Sequence, residues 1–170
     1  MPSKSVDELQ GLVGETRRTV SEFVVERGKV AEFARAIHDP ADVYLDERAA
    51  VAAGYETIPA PPTFVRTAYF PRYRPDDTDQ GLGFHEDLGF HQPRTVHGEQ
   101  RYEYDRPLLL GDELTGRTTL EDVFERDGRR GGTLTFAVLR TDFTDTAGEH
   151  VVSDWNTRIE TGRAIEGERE

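Results

Sequence analysis

No cysteine occurs anywhere in the 170-residue chain. That excludes a disulfide framework, a thiol nucleophile and any zinc site built on thiolates. Lysine is almost as scarce: Lys4 and Lys29 stand alone among the 21 basic side chains, the rest being arginine. Against them stand 33 acids, for a formal net charge of −12. A surface this acidic repels phosphate backbones, and no basic stripe offsets it, so nucleic-acid binding is excluded. No apolar run approaches the length that crosses a bilayer. The segment Met1-Pro2-Ser3-Lys4-Ser5-Val6-Asp7-Glu8 places acids where a secretory signal would carry its apolar core. A soluble, cytoplasmic protein is the expectation.

What is present fits one domain over residues 1–170, long enough to bury roughly two-thirds of its unfolded-chain surface. Ser5 to Gly14 reads as an N-terminal helix, and the Val-, Phe- and Thr-rich Thr19–Val25 as a strand. Val30, Phe33, Ala34 and Ile37 stand at i, i+3, i+4 and i+7, predicting an amphipathic helix closed by Pro40. The alanine-rich Asp46–Ala53, acidic at its start and followed by Gly54, predicts a second short helix. Pro59, Pro61 and Pro62 make a rigid turn before an apolar helical stretch, Thr63–Phe70. Pro71–Arg94 keeps no period and reads as a long loop, a feature usually functional or mobile in a small domain.

The remainder reads as strands at Val96–Tyr104, Leu114–Phe124, Thr133–Phe143 and Val151–Ile159, with turns at Asp127-Gly128, Gly131-Gly132 and Ala147-Gly148. Leu134, Phe136, Val138 and Arg140 share one face of the third of these, and the charged tail Arg163–Glu170 reads as disordered. One strand, then helices, then a meander of strands indicates an α+β domain. An antiparallel sheet wrapped around one central helix, the hot-dog arrangement, suits this order. Pro62–Phe70 or Asp46–Ala53 would supply the helix.

Three motifs in order carry a resemblance. The first is Phe33-Ala34-Arg35-Ala36-Ile37-His38-Asp39-Pro40-Ala41-Asp42-Val43-Tyr44-Leu45-Asp46 with Ala49-Ala50 and Gly54-Tyr55 beyond it. The second is Ala60-Pro61-Pro62-Thr63-Phe64, and the third runs from His97-Gly98-Glu99-Gln100 through Tyr102-Glu103-Tyr104 and Arg106-Pro107-Leu108 to Gly111-Asp112. Together they resemble the MaoC-like hydratase/dehydratase family, in its N-terminal, fatty-acid-synthase-like dehydratase branch. The likeness runs from about Val25 to Thr161, and the chain resembles the non-catalytic subunit of (3R)-hydroxyacyl-thioester dehydratases. It implies a hot-dog fold and an enoyl or 3-hydroxyacyl thioester carried by coenzyme A or acyl carrier protein, with no cofactor. The reaction it implies is reversible addition of water, run by an Asp–His pair whose base titrates near neutrality.

The family's Gly-Asp-x-Asn-Pro-Ile/Val-His-x-Asp segment is altered here. Aligned back from Asp46, its aspartate falls on Asp39 and its histidine on Tyr44, with Ala41 and Asp42 for Asn-Pro. Shifted by two, Asp42 takes the histidine position. His38 precedes the aspartate instead of following it. Asp39 is therefore the remaining catalytic candidate, Tyr44 an inactive occupant of the histidine position, and Pro62, Thr63, Phe64 and His97 the expected substrate contacts. Without the resemblance, Asp39 reads as a helix-ending turn residue, Tyr44 as a packed aromatic and His38 as a histidine at a helix C-terminus.

His85, His91 and His97 recur every six residues, a spacing that matches no metal-ligand pattern, so no metal is expected. Arg94, Arg101 and Arg106 could meet carrier phosphates but read first as surface arginines. Three functions compete. One is a substrate-channel subunit paired with a catalytic hot-dog chain. Another is a self-sufficient hydratase using Asp39 with His38 or His97, and the last is a non-catalytic thioester-binding protein.

Overall fold

The computed structural model describes residues 4–70, 73, 88–128 and 132–162. In chain order these form α1 (Val6–Gln10), β1 (Thr16–Val24), α2 (Arg27–Ala36), α3 (Glu47–Ala52), β2 (Thr95–Tyr104), β3 (Glu113–Gly128), β4 (Gly132–Asp145) and β5 (His150–Thr161). Short 3-10 helices lie at Asp42–Tyr44, Phe64–Tyr69 and Gln92–Arg94. His85 with Glu86 and Asp87, Gly131 of the predicted turn and the tail Arg163–Glu170 lie outside the described residues.

All five strands join one antiparallel sheet in the order β1-β3-β4-β5-β2, so β1 and β2 are its edges. Burial alternates along β4: Thr135, Ala137, Leu139, Thr141 and Phe143 point inward. Leu134, Phe136, Val138 and Arg140 do share a face, and it is the outer, half-exposed one, where Phe136 stacks on Phe124 at 4.8 Å. The ladder between β3 and β4 is regular except at Glu121, a bulge that opposes Val138 together with Asp122. The extra residue keeps Leu120 and Val123 both inside, and Glu121 reaches across the outer face to accept from Trp155 Nε1 at 2.9 Å and pair with Arg140 at 2.8 Å.

Two apolar clusters fill the inner face. The larger one gathers Phe23, Phe64, Val65, Ala68, Leu114 and Phe143 beneath the 3-10 helix Phe64–Tyr69. The smaller one joins Leu9 of α1 to Leu88, Leu120, Val123, Ala137 and Leu139. α1 is held there by a reciprocal cap, Ser5 with Glu8, and by Gln10 Nε2 donating to the Val123 carbonyl at 3.1 Å. It is shorter than Ser5–Gly14. Likewise Leu88–Arg94, read from sequence as loop, contributes a fully buried leucine and a 3-10 turn.

A sheet with helical segments on one face is the α+β hot-dog arrangement expected, but among the described residues no long helix lies at its centre. Of the two segments nominated for it, α3 has six residues and Pro62–Phe70 holds only a six-residue 3-10 helix. The longest helix among the described residues is α2, with ten. Proline explains the shortening: Pro61 and Pro62 precede the segment, and Pro71 forces Phe70 into extended geometry (φ −69°, ψ 148°). The segment is still the core of the fold, because Phe64, Val65, Thr67 and Ala68 are buried.

Opposite volume errors in this core should both be felt. Phe64→Ala should cost about 3–5 kcal/mol through the cavity it leaves. Gly116→Ala should cost about 1–3 kcal/mol, because a Cβ there would sit 2.9 Å from the Phe143 ring and 3.0 Å from Val20. Urea midpoints measure both. A Phe64→Ala protein as stable as the parent would remove that segment from the core.

Candidate functional site

Helix α2 stops at Ala36 because the chain turns left-handed at His38 (φ +58°), a geometry few non-glycine residues adopt. His38 therefore lies beyond the helix, not in its last turn. Ile37, fourth member of the predicted stripe, is 42% exposed for the same reason. The Asp39 N–H donates back to Ala34 O at 2.9 Å, leaving the Asp39 side chain exposed. The turn Asp42–Tyr44 then returns the chain so that Tyr44 packs, half-buried, on the larger core cluster. Burial raises the Tyr44 phenol above its ordinary 10.0, and the nearby Asp39 and Tyr55 raise it further. Asp39 and the residue in the histidine position are thus brought together, but the phenol keeps its proton at neutral pH.

The three expected contacts from the proline turn separate. Pro62 and Thr63 are exposed, whereas Phe64 is fully buried, edge-on to Phe33 at 5.4 Å. Tyr104 Oη donates to the Pro62 carbonyl at 2.6 Å and ties this turn to β2. The Arg106-Pro107-Leu108 to Gly111-Asp112 motif proves to be a strut. Arg106 reaches Asp112 at 2.7 Å and Asp145 at 3.3 Å, Asp112 accepts from Leu109 N–H at 2.8 Å, and Gly111 supplies the φ of +93°. Arg94 pairs with Glu160 at 3.0 Å, and Arg101 stacks on Trp155 at 3.9 Å. Each arginine considered for phosphate thus has an intramolecular role.

His97 leads to a site that sequence reasoning missed. On β5, Asp154, Asn156, Arg158 and Glu160 all face inward, opposite Tyr102, Gln100, His97 and Thr95 of β2. Asp154 is completely buried; it accepts from Tyr69 Oη at 2.9 Å and from Gln100 Nε2, and Arg66 lies 3.6 Å away. Burial raises the Asp154 carboxyl, against the opposing pull of Arg66 and Tyr69. Tyr102, beside it, is pushed up to about 12, by burial first and the Asp154 charge second. Asn156 Nδ2 donates to His97 Nδ1 at 3.0 Å and to Gln100 at 2.9 Å. Burial lowers the His97 imidazole below 6.5, and Arg66 and Arg158 lower it further. His97 thus faces these two arginines, and no interaction links it to Asp39 or His38. The alternation Asp154-Trp155-Asn156-Thr157-Arg158-Ile159-Glu160 is visible in the sequence, but it reads as a solvent-facing polar stripe.

A second histidine has the outline of a nucleophilic triad. On the outer face His150 Nδ1 meets Asp105 at 2.7 Å and Nε2 meets Ser153 Oγ at 2.9 Å. Ser153, however, donates its proton to Asp142 at 2.6 Å. The histidine must then donate to the serine, the reverse of the polarity that activates a nucleophile. Among the described residues no group of His, Asp and Glu could hold a metal ion. Nor is any described helix long and apolar enough to cross a membrane.

Comparison with known proteins places this geometry. The model of the FAS1-like, dehydratase domain region family matches residues 12–154. The UPF0336 protein of Streptomyces avermitilis is 37% identical over 144 residues, covering 85% of this chain and 89% of its own. Among solved structures, the C-terminally truncated HadBC (3R-hydroxyacyl-ACP dehydratase) complex from Mycobacterium tuberculosis contains a chain 30% identical, with TM-score 0.70, over 87% of this chain and 96% of that one. A MaoC-like dehydratase is 28% identical, with TM-score 0.71, over 90% of this chain and 43% of that one.

The arginines beside His97 set a measurable midpoint. By NMR, its imidazole should titrate below 6.5, and Arg66→Gln should move the midpoint back up. Because the folded value is the lower one, the unfolded chain takes the proton first. The stability due to His97 is then complete above pH 6.5 and is lost as pH falls through the folded midpoint. A wild-type midpoint at or above 6.5 would separate His97 from the two cations.

Proposed function

This chain belongs to the FAS1-like dehydratase-region family of MaoC-like hot-dog proteins, and on that premise we propose that it is the substrate-channel subunit of an enoyl-thioester hydratase, or 3-hydroxyacyl-thioester dehydratase. Its partner would be a second hot-dog chain with an intact Asp–His motif. The two would form a cytoplasmic heterodimer, each contributing one domain.

One observation carries this reading. Where the family's loop would present an imidazole, Tyr44 presents a phenol raised above its already high value by burial, Asp39 and Tyr55. Hydration at neutral pH needs a base that both takes and returns a proton, and such a phenol does neither. Asp39 is exposed, and among the described residues no histidine bonds to it. His97, the other candidate partner, is turned toward Arg66 and Arg158. These features favour a non-catalytic half over a self-sufficient hydratase.

The sheet supplies the second support. β2 is an edge strand, paired with β5 on one side only, and ten residues of unpaired backbone edge invite another strand. A partner joined along β2 would continue the sheet and lie next to the polar inner face of β5. The HadBC relative is itself a complex. Coenzyme A or acyl carrier protein would deliver the acyl group, and the chemistry would need no metal or other cofactor.

Purified alone, the chain should hydrate crotonyl-coenzyme A about 10²–10⁴-fold more slowly than with a partner bearing the intact motif. Activity of the pair should vanish when the partner's histidine is replaced and survive Asp39→Asn here. Tyr44→His should not create activity, because Ala41 and Asp42 replace the turn that aims the imidazole. Turnover by the lone chain, abolished by Asp39→Asn, would make it a self-sufficient hydratase instead.

A further inference from the structure

Arg158 is out of keeping with the rest of the chain. In a protein of net charge −12, it points its guanidinium inward from β5, opposite His97 of β2 and Ala137 of β4. Its Nε is buried without a hydrogen-bond partner, and among the described residues no carboxylate pairs with it. Another cation, Arg66, lies close enough to act on it. Burial first and Arg66 second depress the guanidinium to about 10, and only Tyr69 opposes. The two inward carboxylates of β5 are already engaged, Asp154 by Arg66, Tyr69 and Gln100, and Glu160 by Arg94 and the His91 N–H. Both carboxylates are thus held by other arginines, and among the described residues the charge of Arg158 is left uncompensated. A partly buried guanidinium with a buried, unpartnered Nε costs stability, and an apolar residue of similar volume would usually serve the fold better.

We infer that Arg158, with Arg66 and His97, forms the receiving end of a site for one oxyanion, a phosphate or carboxylate borne by a small-molecule ligand. The geometry suits such a group. Arg66 and His97 keep solvent access, Arg66 at 34% exposure, so an anion can approach this group of cations from solvent. Guanidinium donors match the planar or tetrahedral oxygens of either ligand. Asn156, which spends its amide hydrogens on His97 and Gln100, holds the imidazole beside the site. If the chain acts on acyl thioesters, the anion has two sources: a phosphate of the carrier, or a carboxylate on the acyl group. The oxyanion site itself does not depend on that reading.

The test uses the full chain and its His97 imidazole as reporter, by NMR at low ionic strength. Inorganic phosphate, coenzyme A and succinate are titrated separately. Phosphate should bind saturably and raise the His97 midpoint, since an anion offsets the two cations that depress it. Arg158→Met should weaken this binding by about 10- to 100-fold, the loss expected for charge-assisted hydrogen bonds. The same variant should melt no lower than wild type without ligand, the reverse of what a purely structural arginine would show. Coenzyme A binding without succinate identifies the carrier phosphate, and succinate binding without coenzyme A identifies an acyl carboxylate. Failure of all three to bind wild type, or equal binding to Arg158→Met, would overturn the site. Neither outcome bears on whether the chain pairs with a catalytic subunit, which the hydration assay decides separately.

Discussion

Strand β5 is paired on both sides, by β4 and by β2, and that double pairing fixes which of its side chains look inward. Strand parity leaves no freedom: a slip of one residue would exchange the whole set. As the ladder stands, Asp154, Asn156, Arg158 and Glu160 face the layer where a small domain would ordinarily place only apolar groups. Much of the neighbouring structure answers to this. Arg66 and Tyr69 come down from the 3-10 helix onto Asp154, Gln100 reaches across from β2, and Arg94 closes on Glu160. The apolar interior divides into two clusters, one beyond Asp154 at Val152 and Phe143, the other flanking the strip through Ala137 and Leu139, the partners of Arg158 and Asn156.

The strands were legible in the sequence because β-branched and aromatic residues alternate between turn-forming pairs, and each predicted span lies within an observed strand of the meander. Which face was inside was harder to read. On β4 the inner set is Thr135, Ala137, Leu139, Thr141 and Phe143, while the more apolar Leu134, Phe136 and Val138 face outward. Period-two hydrophobicity cannot choose between two apolar faces. Arg140 on the outer set was the sign available. Helix lengths were misjudged for a different reason: Thr63–Phe70 has the composition of a buried helix, but prolines on both sides confine it to a tighter and shorter coil.

The site was legible in part. The altered loop could be read from motif order alone, and folding puts Asp39 near Tyr44 as that order implies. Phe64 parts from Pro62 and Thr63 because a helical turn begins there, carrying one residue into the core and leaving the other two outside. The inward polar strip was invisible for a physical reason. Alternating charged residues on a strand ordinarily face water, and only the pairing on both sides of β5, a long-range property, reverses that expectation.

The bulge at Glu121 bears on how the length of this chain can drift over generations. Removing Glu121 would leave Leu120 and Asp122 as neighbours in a regular ladder, with Val123 still inside and Phe124 still outside. The loss would be confined to the contacts with Trp155 and Arg140. Removing Thr119 a few residues earlier would instead make Thr118 and Leu120 consecutive, and one of these two inward side chains would have to turn toward water. Single-codon deletions should therefore accumulate in descendants of this gene at position 121 and be purged from the regular stretches on either side.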